Sequence, residues 1–122
     1  MEIRKIKFDE IDIGSYSPRI PKSLQGGDME SLVPYFIFNE DLNPLVGSMS
    51  VLGWFPTEFL IVQEMYDGRY TIIDGNRRLV ACWLILNTDN PVCPDFIKKE
   101  VEEMSDKDID RLRELTVMVE EK

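Results

Sequence analysis

The chain has 122 residues, 43% hydrophobic and 30% charged, which suits one globular domain with one core across residues 1–122. A formal net charge of −9 excludes a general grip on nucleic-acid backbone through a basic face. The absence of histidine excludes Ser-His-Asp and Cys-His triads and any metal site built on imidazole.

The chain opens MEIRKIKF, charged from its second residue, so no signal peptide is expected and a cytoplasmic location is. No apolar run reaches about 18 residues, so no membrane span is expected. Residues 3–8 read as a first strand with Ile6 and Phe8 on one face, and residues 9–14 lead out of it. Ser17-Pro18-Arg19-Ile20-Pro21 is expected to be extended, because each proline biases its predecessor away from helix. Arg19 on that rigid segment has two readings, one aimed at a ligand and one as a plain surface arginine.

Gln25-Gly26-Gly27 marks a turn, after which Asp28 caps a short helix over residues 29–33 that Pro34 ends or kinks. Tyr35-Phe36-Ile37-Phe38 reads as core, and Asn39-Glu40-Asp41 as a turn or solvated edge. Asn43-Pro44 starts a second helix with Leu45, Val46, Met49 and Leu52 on one face, and Gly53 is its stop. Trp54-Phe55-Pro56 turns the chain into a central buried strand begun by residues 59–62. Tyr66-Asp67-Gly68-Arg69 carries the signature of a two-residue hairpin turn. Strands over residues 59–65 and 69–74 should therefore pair antiparallel.

Asp74-Gly75-Asn76 then supplies turn and cap chemistry, and residues 79–86 form an unbroken apolar run, predicting a buried helix. Arg77 and Arg78 fall in its first turn. Positive charge there costs about 0.3–1 kcal/mol per residue against the helix dipole. The placement makes sense if an anion is held by the free backbone N–H groups and both guanidinium groups. The alternative is that Asp74 neutralises one arginine and the other points into water. In residues 23–94 three cations stand against nine carboxylates, and two of those three are Arg77 and Arg78.

Cys82 and Cys93 lack C-x-x-C spacing; Cys82 is expected as core, and a disulfide between the two stays open. Residues 87–94 form a loop with a short strand at Val92. Ile97, Val101 and Met104 suggest a helix, and Ser105 with Asp108 starts another whose buried face is Ile109 and Leu112. Residues 115–119 (LTVMV) are a last strand, and the charges of residues 98–114 a solvated surface.

The order Leu45-x-x-Ser48-Met49, Gly53, Pro56, hairpin, then Ile73-Asp74-Gly75-Asn76-Arg77-Arg78-Leu79-x-Ala81 resembles the ParB/sulfiredoxin superfamily. The match covers roughly residues 3–86 and includes Pro18-Arg19, where many members carry a proline-arginine pair. The resemblance implies an α+β fold, a small mixed sheet packed with helices. It also implies a nucleotide-phosphate site at Gly75, Asn76, Arg77 and Arg78, joined by Arg19, with ATP or CTP and Mg2+ as cofactors. Members include CTP-binding partitioning proteins, ATP-dependent sulfiredoxin, a free serine kinase and DNA nucleases.

Asn76 and Arg77 stand where sulfiredoxin places cysteine and histidine, which argues against that reaction. Residues 87–122 show neither the further glutamate-asparagine motif nor the helix-turn-helix of the partitioning proteins. For catalysis the available carboxylates are Glu30, Glu40, Asp41, Glu64 and Asp74. Asp74 and Glu64 are the catalytic candidates, and Asp74 the metal candidate, unless it caps the helix or pairs with Arg77. Three functions compete: nucleotide binding with hydrolysis or phosphotransfer, a ParB-like DNA nuclease, and a non-catalytic adaptor of a partitioning or defence system. DNA would then be reached through a partner or a local site. Trp54, Phe55, Tyr35 and Phe36 would be the adaptor's anchors on a protein partner.

Overall fold

The computed structural model describes residues 1–52 and 60–120. Alternating apolar residues build its sheet, from β1 (Glu2–Lys7), β2 (Ile11–Asp12), β3 (Leu60–Glu64), β4 (Tyr70–Asp74) and β5 (Glu114–Glu120). Their order is β1-β5-β3-β4-β2 among the described residues. β1 lies antiparallel to β5, β5 parallel to β3, β3 antiparallel to β4, and β4 parallel to β2. The expected central strand is β3, flanked on both sides. Leu60, Val62, Ile72, Leu115 and Val117 are buried in one continuous core, while their strand neighbours Ile61, Thr71, Thr116 and Met118 are less so.

The hairpin turn differs from the expected one. Met65 and Arg69 close a three-residue loop in which Gly68 N–H donates to Met65 O at 3.1 Å and Gly68 takes φ 80°. A two-residue type I′ turn needs positive φ at two residues, and among the described residues only glycines have it. Asp67 stays on the negative side, so Gly68 alone absorbs the reversal.

Among the described residues five α-helices accompany the sheet: α1 (Met29–Asn39), α2 (Asn43–Leu52), α3 (Asn76–Leu86), α4 (Asp95–Glu102) and α5 (Asp106–Arg111). The cap at Asp28 is as expected, its carboxylate accepting from Ser31 N–H at 2.9 Å. The stop at Pro34 is not, because α1 runs through it to Asn39. Leu32, Val33 and Phe36 are buried on both sides of the proline. Each such burial is worth about 1.5–3 kcal/mol, enough to offset the lost backbone bond and ring clash of roughly 3 kcal/mol. Phe38, expected in the core, is 85% exposed because the helix turns it away from Phe36.

Val46 and Met49 form the buried face of α2, with Leu45 partly buried. Gly53, Trp54, Phe55, Pro56 and Phe59 lie outside the described residues. In α3 every residue from Leu79 to Ile85 is buried, and the helix packs against α1, α2 and α4. Ser105 caps α5 by accepting from Asp108 N–H at 3.1 Å, and Leu112 is buried behind it. Val92 lies in a turn rather than a strand. No helix among the described residues is long and apolar enough to cross a membrane.

Cys82 and Cys93 are both buried free thiols. Burial pushes the Cys82 thiol above its ordinary range, since no charged form is tolerated inside α3. The unfolded chain ionises this group first as pH rises. Its contribution to stability is therefore complete below the ordinary thiol range and shrinks above about pH 9. In denaturant titrations Cys82→Ala is expected to flatten that alkaline loss. A thiol reagent is expected to count no fast-reacting cysteine in the native chain and two after unfolding.

Candidate functional site

β4 becomes α3 within one residue. Gly75 adopts φ 118° and ψ 20°, and a Cβ on it would strike Leu60 Cδ2, so only glycine fits. It is the N-cap of α3, with no side-chain hydrogen bond capping the helix, contrary to the cap expected from Asp74 or Asn76. The first intrahelical bond is Leu79 N–H to Gly75 O at 3.0 Å. The N–H groups before it have no partner within the helix.

The Asn76 side chain is occupied elsewhere. Its Oδ1 accepts from Gly14 N–H at 2.7 Å, and its Nδ2 donates to Gly14 O at 2.9 Å. Gly14 in turn lies so close to Ile72 O that no side chain fits there. The segment that follows is a turn, not the expected extended run. Ser17 N–H donates to Gly14 O at 3.1 Å and Ile20 N–H to Ser17 O at 3.0 Å. Pro18 thus occupies the second position of a β-turn, which its fixed φ suits. Tyr35 Oη donates to Arg19 O at 3.0 Å, and Gln25 Nε2 to Ile20 O at 3.0 Å. Ile20 is buried beneath and Arg19 is exposed.

Between this turn, α1 and the start of α3 lies a cavity of about 610 Å³. Arg19, Asp74, Gly75, Asn76, Arg77 and Arg78 all line it. Arg77 is exposed and donates from Nη2 to Asp41 O at 3.2 Å, while Arg78 is half-buried. Among the described residues no ion pair reaches Asp74, so it does not neutralise Arg77. Glu40, half-buried, lines the same cavity with Tyr35 and the exposed Ile73. The sequence offered Glu40 only as one free carboxylate among several, because α1 was expected to end before it.

Glu64 is placed elsewhere. It accepts from Tyr70 Oη at 3.3 Å and lies 3.9 Å from Arg4 Nη1, at the hairpin end of β3 rather than the Gly75 end. Two of the four aromatic anchors are described, and neither offers a free aromatic face. Phe36 is buried, the Tyr35 hydroxyl is tied to the Arg19 turn, and Trp54 and Phe55 fall outside the described residues. No cluster of three or more acidic or thiol ligands exists among the described residues.

No family model and no curated protein matches the sequence. The architecture is a ParB-like α+β fold. The particular match is the C-terminally truncated chromosome-partitioning protein ParB from Caulobacter crescentus, solved in complex with CTP-γ-S. The TM-score is 0.54 at 18% identity over the whole of this chain and 46% of that one. The chain thus spans less than half the length of that ParB chain.

Gly75→Ala puts a side chain into left-handed backbone and against Leu60. It is expected to lower stability by about 1–3 kcal/mol in urea titrations, whereas Gly47→Ala, with open space around it, should not destabilise the fold.

Proposed function

We propose that the chain is a nucleotide-binding domain that holds the phosphates of CTP or ATP at the start of α3. The observation that carries this reading is the convergence of Arg19, Arg77, Arg78 and the uncapped Gly75 turn on one cavity. First-turn N–H groups and the helix dipole favour a phosphate there, and guanidinium groups add charge-assisted bonds. The apolar wall formed by Ile20, Phe36, Leu45 and Ile73 suits the less polar part of a nucleotide. The ParB neighbour was solved with a CTP analogue, which makes CTP the first ligand to test.

Mg2+ fits this donor set. It keeps several waters and takes one or two carboxylates plus phosphate oxygens. Asp74 and Glu40, which both line the cavity, are the carboxylates that would hold it, directly or through its waters. Bound there, it would neutralise phosphate charge. Among the chain's own residues, Gly75 permits close approach, Arg77 and Arg78 neutralise, and Arg19 covers from across the cavity.

Calorimetry with CTP and ATP, each with and without Mg2+, tests the proposal. The expected result is saturable heat for at least one nucleotide. A charge-assisted bond is worth about 1.5–3 kcal/mol, so Arg77→Ala is expected to weaken binding by roughly ten- to a hundredfold. Absence of heat with either nucleotide removes the proposal.

A further inference from the structure

The Asn76 amide and the Gly14 peptide face each other as two complementary pairs. The peptide N–H requires an oxygen opposite it and the peptide carbonyl requires a donor, so the amide's orientation is fixed by chemistry. Gly14 O also accepts from Ser17 N–H, the first bond of the Arg19 turn. That turn therefore has two sets of fastenings. Tyr35 holds its tip to α1, Gln25 holds its base from the loop before α1, and Asn76 holds its beginning to α3. Residues 14–20 carry one cation of the cavity, and the first turn of α3 carries the other two. The Asn76 side chain is a polar link between these halves, across 62 positions of sequence.

We infer that Asn76 is a positioning residue: its amide locks the Arg19 turn to the start of α3, so Arg19 and the α3 arginines act on one ligand as a unit. The inference rests on the nucleotide reading above. Asn76 contributes its side chain to Gly14 rather than to phosphate. A ligand held at α3 is consequently felt in residues 14–20, and the worth of Arg19 depends on Asn76.

A double-mutant cycle on the full chain tests this, with CTP·Mg2+ and ATP·Mg2+ as probes. Arg19→Ala is expected to weaken binding roughly tenfold in the wild-type background and less than about threefold when Asn76 is alanine. A merely structural role would lower stability but leave the Arg19 effect at full size in the folded molecules. Amide exchange on the wild-type chain gives a second readout that needs no variant. Ligand is expected to slow exchange at Gly14, Ser17 and Ile20 along with the first turn of α3. Binding with additive losses, or protection confined to α3, overturns the inference and leaves the nucleotide reading standing. No binding by the wild-type chain overturns both.

Discussion

The passage from β4 into α3 sets what the rest of the molecule can do. Gly75 lies in left-handed backbone against Leu60 at the centre of the sheet. The chain reverses there without room for a side chain, and α3 begins with no side-chain cap. A glycine N-cap in place of a side-chain cap costs only a few tenths of a kcal/mol, and two arginines at the positive end of the dipole add about 0.3–1 kcal/mol each. Seven consecutive buried residues, Leu79 to Ile85, offset the cost many times over at about 1.5–3 kcal/mol for each large side chain. A helix anchored so firmly by its body tolerates an unfavourable first turn. The fold thereby keeps an amide-rich, cationic corner open.

Local patterns carried most of the fold. The apolar run of α3, the alternation in β5, the Ser105 cap and the location of the hairpin are each decided within about ten residues of sequence. What the sequence did not disclose depends on distant neighbours. Pro34 ends a helix on local grounds, but burial of Val33 and Phe36 on either side carries α1 through it. Once α1 continues, Phe38 rotates outward and Glu40 reaches the cavity. β2 is two residues long and exists because it pairs with β4, helped by Arg69 bonding Asp12 at 2.8 Å. No period marks such a strand. Pro18 fits both an extended run and the second position of a turn, and bonds from Tyr35 and Gln25 select the turn.

The candidate site was legible to a similar degree. Arg77 and Arg78 stand out because their charge contradicts the helix dipole, Gly75 because it marks the turn before them, and Arg19 because two prolines stiffen its surroundings. The cavity brings all four together. Asn76 was visible as a motif residue but not in its role, since a side-chain amide matched to a peptide 62 positions away leaves no sequence signal. Glu64 is one of five available carboxylates, and the sequence alone does not place it. The antiparallel register instead pairs Glu64 with Tyr70 and Ile61 with Asp74, which puts Glu64 at the opposite end of β3 from Gly75.

The charge of the whole chain and the charge of the corner point in opposite directions. A net −9 repels an approaching nucleotide at long range, but salt at physiological strength screens that beyond about 8 Å. At contact a nucleotide would meet the cavity's described groups, among them three guanidinium groups, two carboxylates and the positive end of α3. Even with Arg78 counted in full, the described side chains leave far less positive charge than a nucleoside triphosphate carries in negative charge. A bare triphosphate would be under-neutralised and would face Asp74 and Glu40 as like charges. With a divalent cation bound to the phosphates, those same carboxylates become attractive. On the nucleotide reading, the acidic residues in the cavity therefore favour a metal complex over the free nucleotide, and the arginines need only complete the neutralisation.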